Sequence, residues 1–128
     1  MTLNWLHLET PPLHWLGLVR SIVEPRLKAA THLDIQWQSP DRPIQASLEK
    51  PFKIVSWTYS PQNPASNWEG LWQMRLHHPN AIRILLAAPS ESLQQIQLLE
   101  AGAHLLIPDA VSLCHWLQKH LATEYPHT

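Results

Sequence analysis

Few side chains in this sequence combine in a pattern that could do chemistry. There are nine histidines and one cysteine among 128 residues. His77 and His78 are adjacent, so on a helix end their side chains diverge. His115 and His120 are five apart, a poor helical spacing for a shared ion. Neither pair is accompanied by a Cys or carboxylate cluster at ligand spacing, so neither a metal nor a cofactor is expected. Cys114 lies on an apolar helical stripe and is expected to be buried and inert rather than a reactive thiol. Alone it cannot form an internal disulfide, and it suits a reducing compartment. Ser56 and Ser60 carry hydroxyls, but no pairing of either with a histidine stands out by spacing. No catalytic residue is assigned, and the chain is read as a non-enzyme. Two acids sit at expected element ends, Glu9 and Asp109, and no aspartate lies between Asp41 and Asp109.

Composition narrows the class. The length suits one domain spanning residues 1–128, long enough to bury a sizeable core. A formal charge of −1 gives no electrostatic pull toward nucleic acid or anionic membrane. The N-terminus has no basic segment followed by a long apolar run, and no apolar stretch reaches membrane-spanning length. A cytoplasmic protein is expected. Seven tryptophans and twelve prolines are unusual, while three glycines argue against Gly-rich phosphate loops.

The elements that must position these residues centre on the stretch from Ile82 to Ile107. Ile82 to Ala88 is an apolar run, hence a strand buried on both faces. Glu91 to Ala101 has helical spacing, with Leu93, Ile96, Leu99 and Ala101 on or near one apolar face. Gly102 is the helix stop, since glycine takes the left-handed conformation cheaply. Ala103 to Ile107 is a second strand. Strand, helix and strand make a βαβ unit with parallel strands and a right-handed crossover.

The rest of the chain follows the same alternation. Leu3 to Glu9 is a strand, and Thr10, Pro11 and Pro12 form a turn. Leu13 to about Ala30 is helical, with Pro25 expected to kink or end it near Val23–Glu24. Leu33 to Trp37 alternates as a strand near a sheet edge. Ile44 to Glu49 can make only a short helix. Phe52 to Thr58 is a third strand. Ser66 and Glu69 fit a capping box, so a helix should start there and run to His78. Asp109 is expected to cap a last helix, Ala110 to Leu121, with Ala110, Leu113, Cys114, Leu117 and Leu121 as its buried stripe. The final residues, Ala122 to Thr128, are expected to fray. Five strands alternating with five helices predict an α/β fold, a (βα)5 doubly wound five-stranded parallel sheet of order 2-1-3-4-5. Ligands in such sheets bind at the carboxyl ends of strands one and three, here Glu9–Thr10 and Trp57–Thr58.

Three segments now resemble a known family. EAGAHLLIP (Glu100 to Pro108), HPNAIRILLAA (His78 to Ala88) and IVSWTYSP (Ile54 to Pro61) resemble segments of response-regulator receiver domains, CheY-like proteins of flavodoxin-like fold from two-component signalling and phosphorelay. The resemblance spans Leu3 to Leu121 and is more specific in the C-terminal half. In the family, an aspartate at the end of strand three accepts a phosphoryl group. That position here is Trp57. Of two Mg²⁺-binding acids after strand one, Glu9 keeps a charge and Thr10 replaces the other. The hydroxyl residue after strand four aligns with Ala87, and the region of the family lysine holds Pro108 and Asp109. Octahedral Mg²⁺ needs several hard oxygens, and phosphoryl transfer needs charge neutralisation; Glu9 and Asp109 alone supply neither. Because no aspartate lies between Asp41 and Asp109, a register slip to Ser56 or Thr58 changes nothing.

The resemblance therefore implies a pseudo-receiver, acting by protein–protein interaction without phosphorylation. The residues Glu9, Thr10, Trp57, Ala87 and Asp109 would mark the degenerate pocket. Trp57 either plugs that pocket or is simply an aromatic at a strand end. Glu9 is either a relic of the metal site or an ordinary solvated acid. In the family, the face of helix four, strand five and helix five carries dimer and output contacts. Gln94, Gln95, Gln97, His104, Leu106, His115 and Lys119 are its counterparts here, for a protein partner or a homodimer. The family's switch couples the hydroxyl at Ala87 to an aromatic at Leu106; with both groups absent, a locked domain is expected. The alternative is a flavodoxin-like small-ligand or nucleotide binder or enzyme. Its phosphate loop would be Thr10-Pro11-Pro12, where the prolines remove N–H donors.

Overall fold

The computed structural model describes residues 2–9, 13–27, 31–39, 52–62 and 64–124. Strands β1 (Thr2–Leu8), β2 (His32–Gln38), β3 (Ile54–Thr58), β4 (Ile82–Leu86) and β5 (Leu105–Ile107) form one sheet. Every pairing is parallel, and the strand order is 2-1-3-4-5. The fold is thus α/β with the flavodoxin-like order. The expected edge position of β2 is observed.

Among the described residues there are four α-helices, not five: α1 (His14–Leu18), α2 (Pro64–His77), α3 (Ser92–Ala101) and α4 (Ala110–Glu124). The short helix expected at 44–49 lies outside the described residues, as does the Thr10-Pro11-Pro12 turn. None of the described helices is long and apolar enough to cross a membrane.

Alternation along the strands builds two cores, because successive side chains point to opposite sheet faces. Leu3, Trp5, Leu33, Ile54, Ile84, Leu86 and Ile107 pack with residues of α1, the turn after it and α4. Leu6, Leu8, Val55, Trp57 and Leu85 pack with Leu71 and Met74 of α2 and Leu98 of α3. The α4 stripe Ala110, Leu113, Cys114, Leu117 and Leu121 is buried as the spacing required, and the helix runs on to Glu124.

The first helix is interrupted more than Pro25 alone predicts. α1 ends at Leu18, a π-helical turn covers Val19–Val23, and a 3-10 turn covers Glu24–Arg26. Pro25 has no N–H to give the ladder, so the carbonyls before it must find other partners. α2 begins at Pro64, earlier than the Ser66 capping box suggested, because proline is well suited to a first helical turn.

α3 departs most from expectation. Its only buried residue is Leu98. Of the four residues expected on one apolar face, Leu93, Ile96 and Leu99 are 60%, 53% and 47% exposed, while Ala101 packs against the core. Its end is as expected: Gly102 has φ +127°, its N–H reaches the Leu99 carbonyl, and the Ala103 N–H reaches that of Leu98. This is a Schellman closure, and Leu98 and Ala103 supply its accompanying apolar contact.

Candidate functional site

Trp5, His7 and Glu9 alternate along β1 and so share the face toward α1. Register places Ser56 of β3 opposite His7. The four side chains join in one buried polar chain. The Trp5 indole N–H donates to Ser56 Oγ at 2.7 Å. Ser56 Oγ and His7 Nδ1 are also 2.7 Å apart, and His7 Nε2 lies 3.0 Å from Glu9 Oε1. An ionised carboxylate only accepts, so Nε2 carries the proton, and Nδ1 accepts from the Ser56 hydroxyl.

Glu9 also caps a helix. Its carboxylate accepts the backbone N–H of Trp15 at 2.9 Å and of Leu16 at 3.3 Å, in the first turn of α1. Burial opposes its charge. The bonds from His7 and the Trp15 and Leu16 N–H groups outweigh that, and hold its carboxyl below the ordinary value of 4.5. Its own carbonyl accepts the Trp37 indole N–H at 2.8 Å, which ties β2 to the same corner. Glu9 is therefore a buried capping acid, neither solvated nor free to take a metal. The Ser–His–Glu sequence of contacts has the residue types of a hydrolase relay. However, the Ser56 hydroxyl is fully buried, and Trp5 occupies its accepting side.

Among the described residues proposed for an emptied pocket, Glu9 alone belongs to this polar chain. Trp57 points the opposite way, into the α2–α3 core. Ala87 follows β4 with φ +57° and packs against the α1–α4 core. Asp109 is an exposed N-cap whose Oδ1 accepts the Ser112 N–H at 2.8 Å. That bond lowers its pKa. Thr10 lies outside the described residues. Thr58 Oγ1, at the end of β3, is buried without a hydrogen-bond partner. Among the described residues, no three His, Cys, Asp or Glu side chains are placed to hold a metal ion.

Beyond the ends of β3 and β4 lies a half-open groove of about 590 Å³. Tyr59, Pro61, Trp68 and Leu98 make apolar walls, with the amides of Gln94 and Gln97 at one side. The seven residues expected to mark a partner face lie on α3, on α4, and in or just before β5. Gln94 and Gln97 line this groove, and Leu106 is half-buried against the α2–α3 core. His115 and Lys119 are exposed on α4, in the other helical layer. Both α3 and α4 contact β5.

His104 is exposed yet held. Its Nδ1 accepts the Arg83 backbone N–H at 3.0 Å. Burial, then the neighbouring Arg83 charge, lowers its pKa. Arg83 is itself buried, and its Nε donates to the Gly102 carbonyl at 2.6 Å and Nη1 to the Pro79 carbonyl at 3.2 Å. Neither His7 nor Arg83 was singled out in the sequence. The available signal was a polar residue inside an otherwise apolar strand, in LNWLHLE and in IRILL.

Comparison of the chain with protein-family models, with curated proteins and with solved structures returned no match.

Proposed function

We propose that the chain is a degenerate receiver domain, a pseudo-receiver of the doubly wound (βα)5 type, that works in cytoplasmic signalling through protein contact rather than phosphoryl transfer. The observation that carries this reading is the condition of the strand ends. The position of the family's acceptor is Trp57, 5% exposed and turned into the core, while the one acid left after β1 is consumed by His7 and the start of α1. Neither can take a phosphoryl group or complete a Mg²⁺ shell. What the surface offers instead is large apolar side chains on α2 and α3, the kind of surface that marks contact sites. The test is incubation with acetyl phosphate and Mg²⁺ followed by intact mass. The mass is expected to stay unchanged, and a gain of one phosphoryl group would overturn the reading.

The groove beside Tyr59 and Trp68 favours a second reading, a small-ligand binder. Its volume falls in the usual range for small-molecule sites, roughly 300–1,000 Å³, and it lies beyond the carboxyl ends of the strands, where such sheets bind ligands. Native mass spectrometry of the purified protein separates this from the first reading, since a retained nucleotide or flavin would favour it.

A further inference from the structure

The outer faces of α2 and α3 present an apolar surface that the fold does not use. Trp68, Trp72 and Leu76 recur every four residues on α2 and are 39%, 58% and 60% exposed. Leu93, Ile96 and Leu99 are likewise exposed on α3. The two helices pack side by side over one sheet face, and Trp68 shares the groove lining with Gln94 and Gln97 of α3. We infer that this α2–α3 face is a homodimer interface, its occupant the same face of a second copy of the chain.

Two observations select a second copy. The first is area. With the two tryptophans presenting roughly 150–250 Å² each in full, and four smaller aliphatic side chains about half exposed, the six leave on the order of 600 Å² of apolar surface exposed. That is at the top of the range for the largest patch on a monomer, about 300–600 Å². Pairing the face with itself would remove on the order of 1,200 Å² in total, the lower bound for a stable specific interface. The second is charge. A two-fold interface must be self-complementary. This face carries Arg75 exposed on α2 and Glu100 exposed on α3, and among the described residues neither is in an ion pair. Opposed copies can therefore match unlike charges around an apolar centre. The inference rests on the protein-contact reading above, but places the contact away from the β5 edge.

The experiment is light scattering of the full chain over a concentration series. The wild type is expected to be dimeric, and Trp72→Glu and Ile96→Glu each monomeric with an unchanged circular dichroism spectrum. Val111→Glu and Trp37→Ala, at exposed apolar residues off this face, are expected to remain dimeric. A wild type that is monomeric at every concentration would overturn the inference. So would a dimer that survives both α2–α3 variants, or one that Val111→Glu disrupts equally. These outcomes leave the phosphoryl-transfer assay untouched, so the two readings fail separately.

Discussion

The indole of Trp57 occupies the space that a side chain on Gly70 would need. A Cβ built on Gly70 would come within 2.5 Å of Cδ2 and Cε2 of Trp57. The third strand and α2 therefore approach as closely as a tryptophan lying against bare helix backbone allows. In an ordinary helix interior, Gly→Ala gains about 1 kcal/mol. Here the clash reverses the sign, because overpacking a core typically costs about 1–3 kcal/mol. Gly70→Ala is expected to lower stability by about 1–2 kcal/mol in urea unfolding. In the Trp57→Leu background the same change should be neutral or stabilising, a coupling that a double-mutant cycle reads directly.

Ser56→Ala should be costly although it removes a single oxygen. It strands the Trp5 indole N–H without an acceptor and His7 Nδ1 without a donor. An unsatisfied buried group costs about 1–3 kcal/mol. Chemical denaturation should show a loss of that size. Ser60→Ala, at a half-buried loop position, should change stability by less.

Acid should weaken the fold in two stages. His78 is buried against Phe52, with ring centroids 5.6 Å apart, and its Nε2 has no hydrogen-bond partner. Burial, then the nearby His77, lowers its pKa from the ordinary 6.5. A depressed value means that the unfolded chain protonates first. The contribution is therefore complete above 6.5 and declines as pH falls toward the folded-state value. Glu9 adds a second decline below its ordinary 4.5, again because its folded value is lowered. Denaturant midpoints measured against pH should show both, and His78→Phe should reduce the first, to which His104 with its own lowered pKa also contributes, while keeping the ring contact with Phe52.

Gly102→Ala should destabilise through backbone strain. At φ +127° an added Cβ meets nothing closer than 3.4 Å, at Arg75 Cδ, so sterics with neighbours are ordinary. The positive φ is what an alanine resists, at about 1–2 kcal/mol. Thermal unfolding should show the loss, and Gly17→Ala, where nothing lies within 4 Å of the added Cβ, should not.

Much of the fold was legible because parallel strands covered on both faces read as continuous apolar runs. Ile84, Leu85 and Leu86 are fully buried, and the α4 stripe points inward residue for residue. The orientation of α3 was not legible. Periodicity finds an apolar face but does not say what covers it, and Leu93, Ile96 and Leu99 face outward while Leu98 alone is buried. The polar chain around His7 was missed for a different reason. Ser56 lies 49 residues from His7 and 51 from Trp5 in sequence and meets them only through strand register. Spacing rules for catalytic or metal sites do not reach across such separations.

The contacts of Glu9 bear on how this corner opens. One carboxylate joins β1 to the start of α1, and through His7 and Ser56 it also joins β3. Releasing the first turn of that helix would strand a buried charge. The helix start should therefore open only when the central strands do. The amide protons of Trp15 and Leu16 should then exchange with deuterium as slowly as those of mid-strand residues, although they begin a helix of five residues.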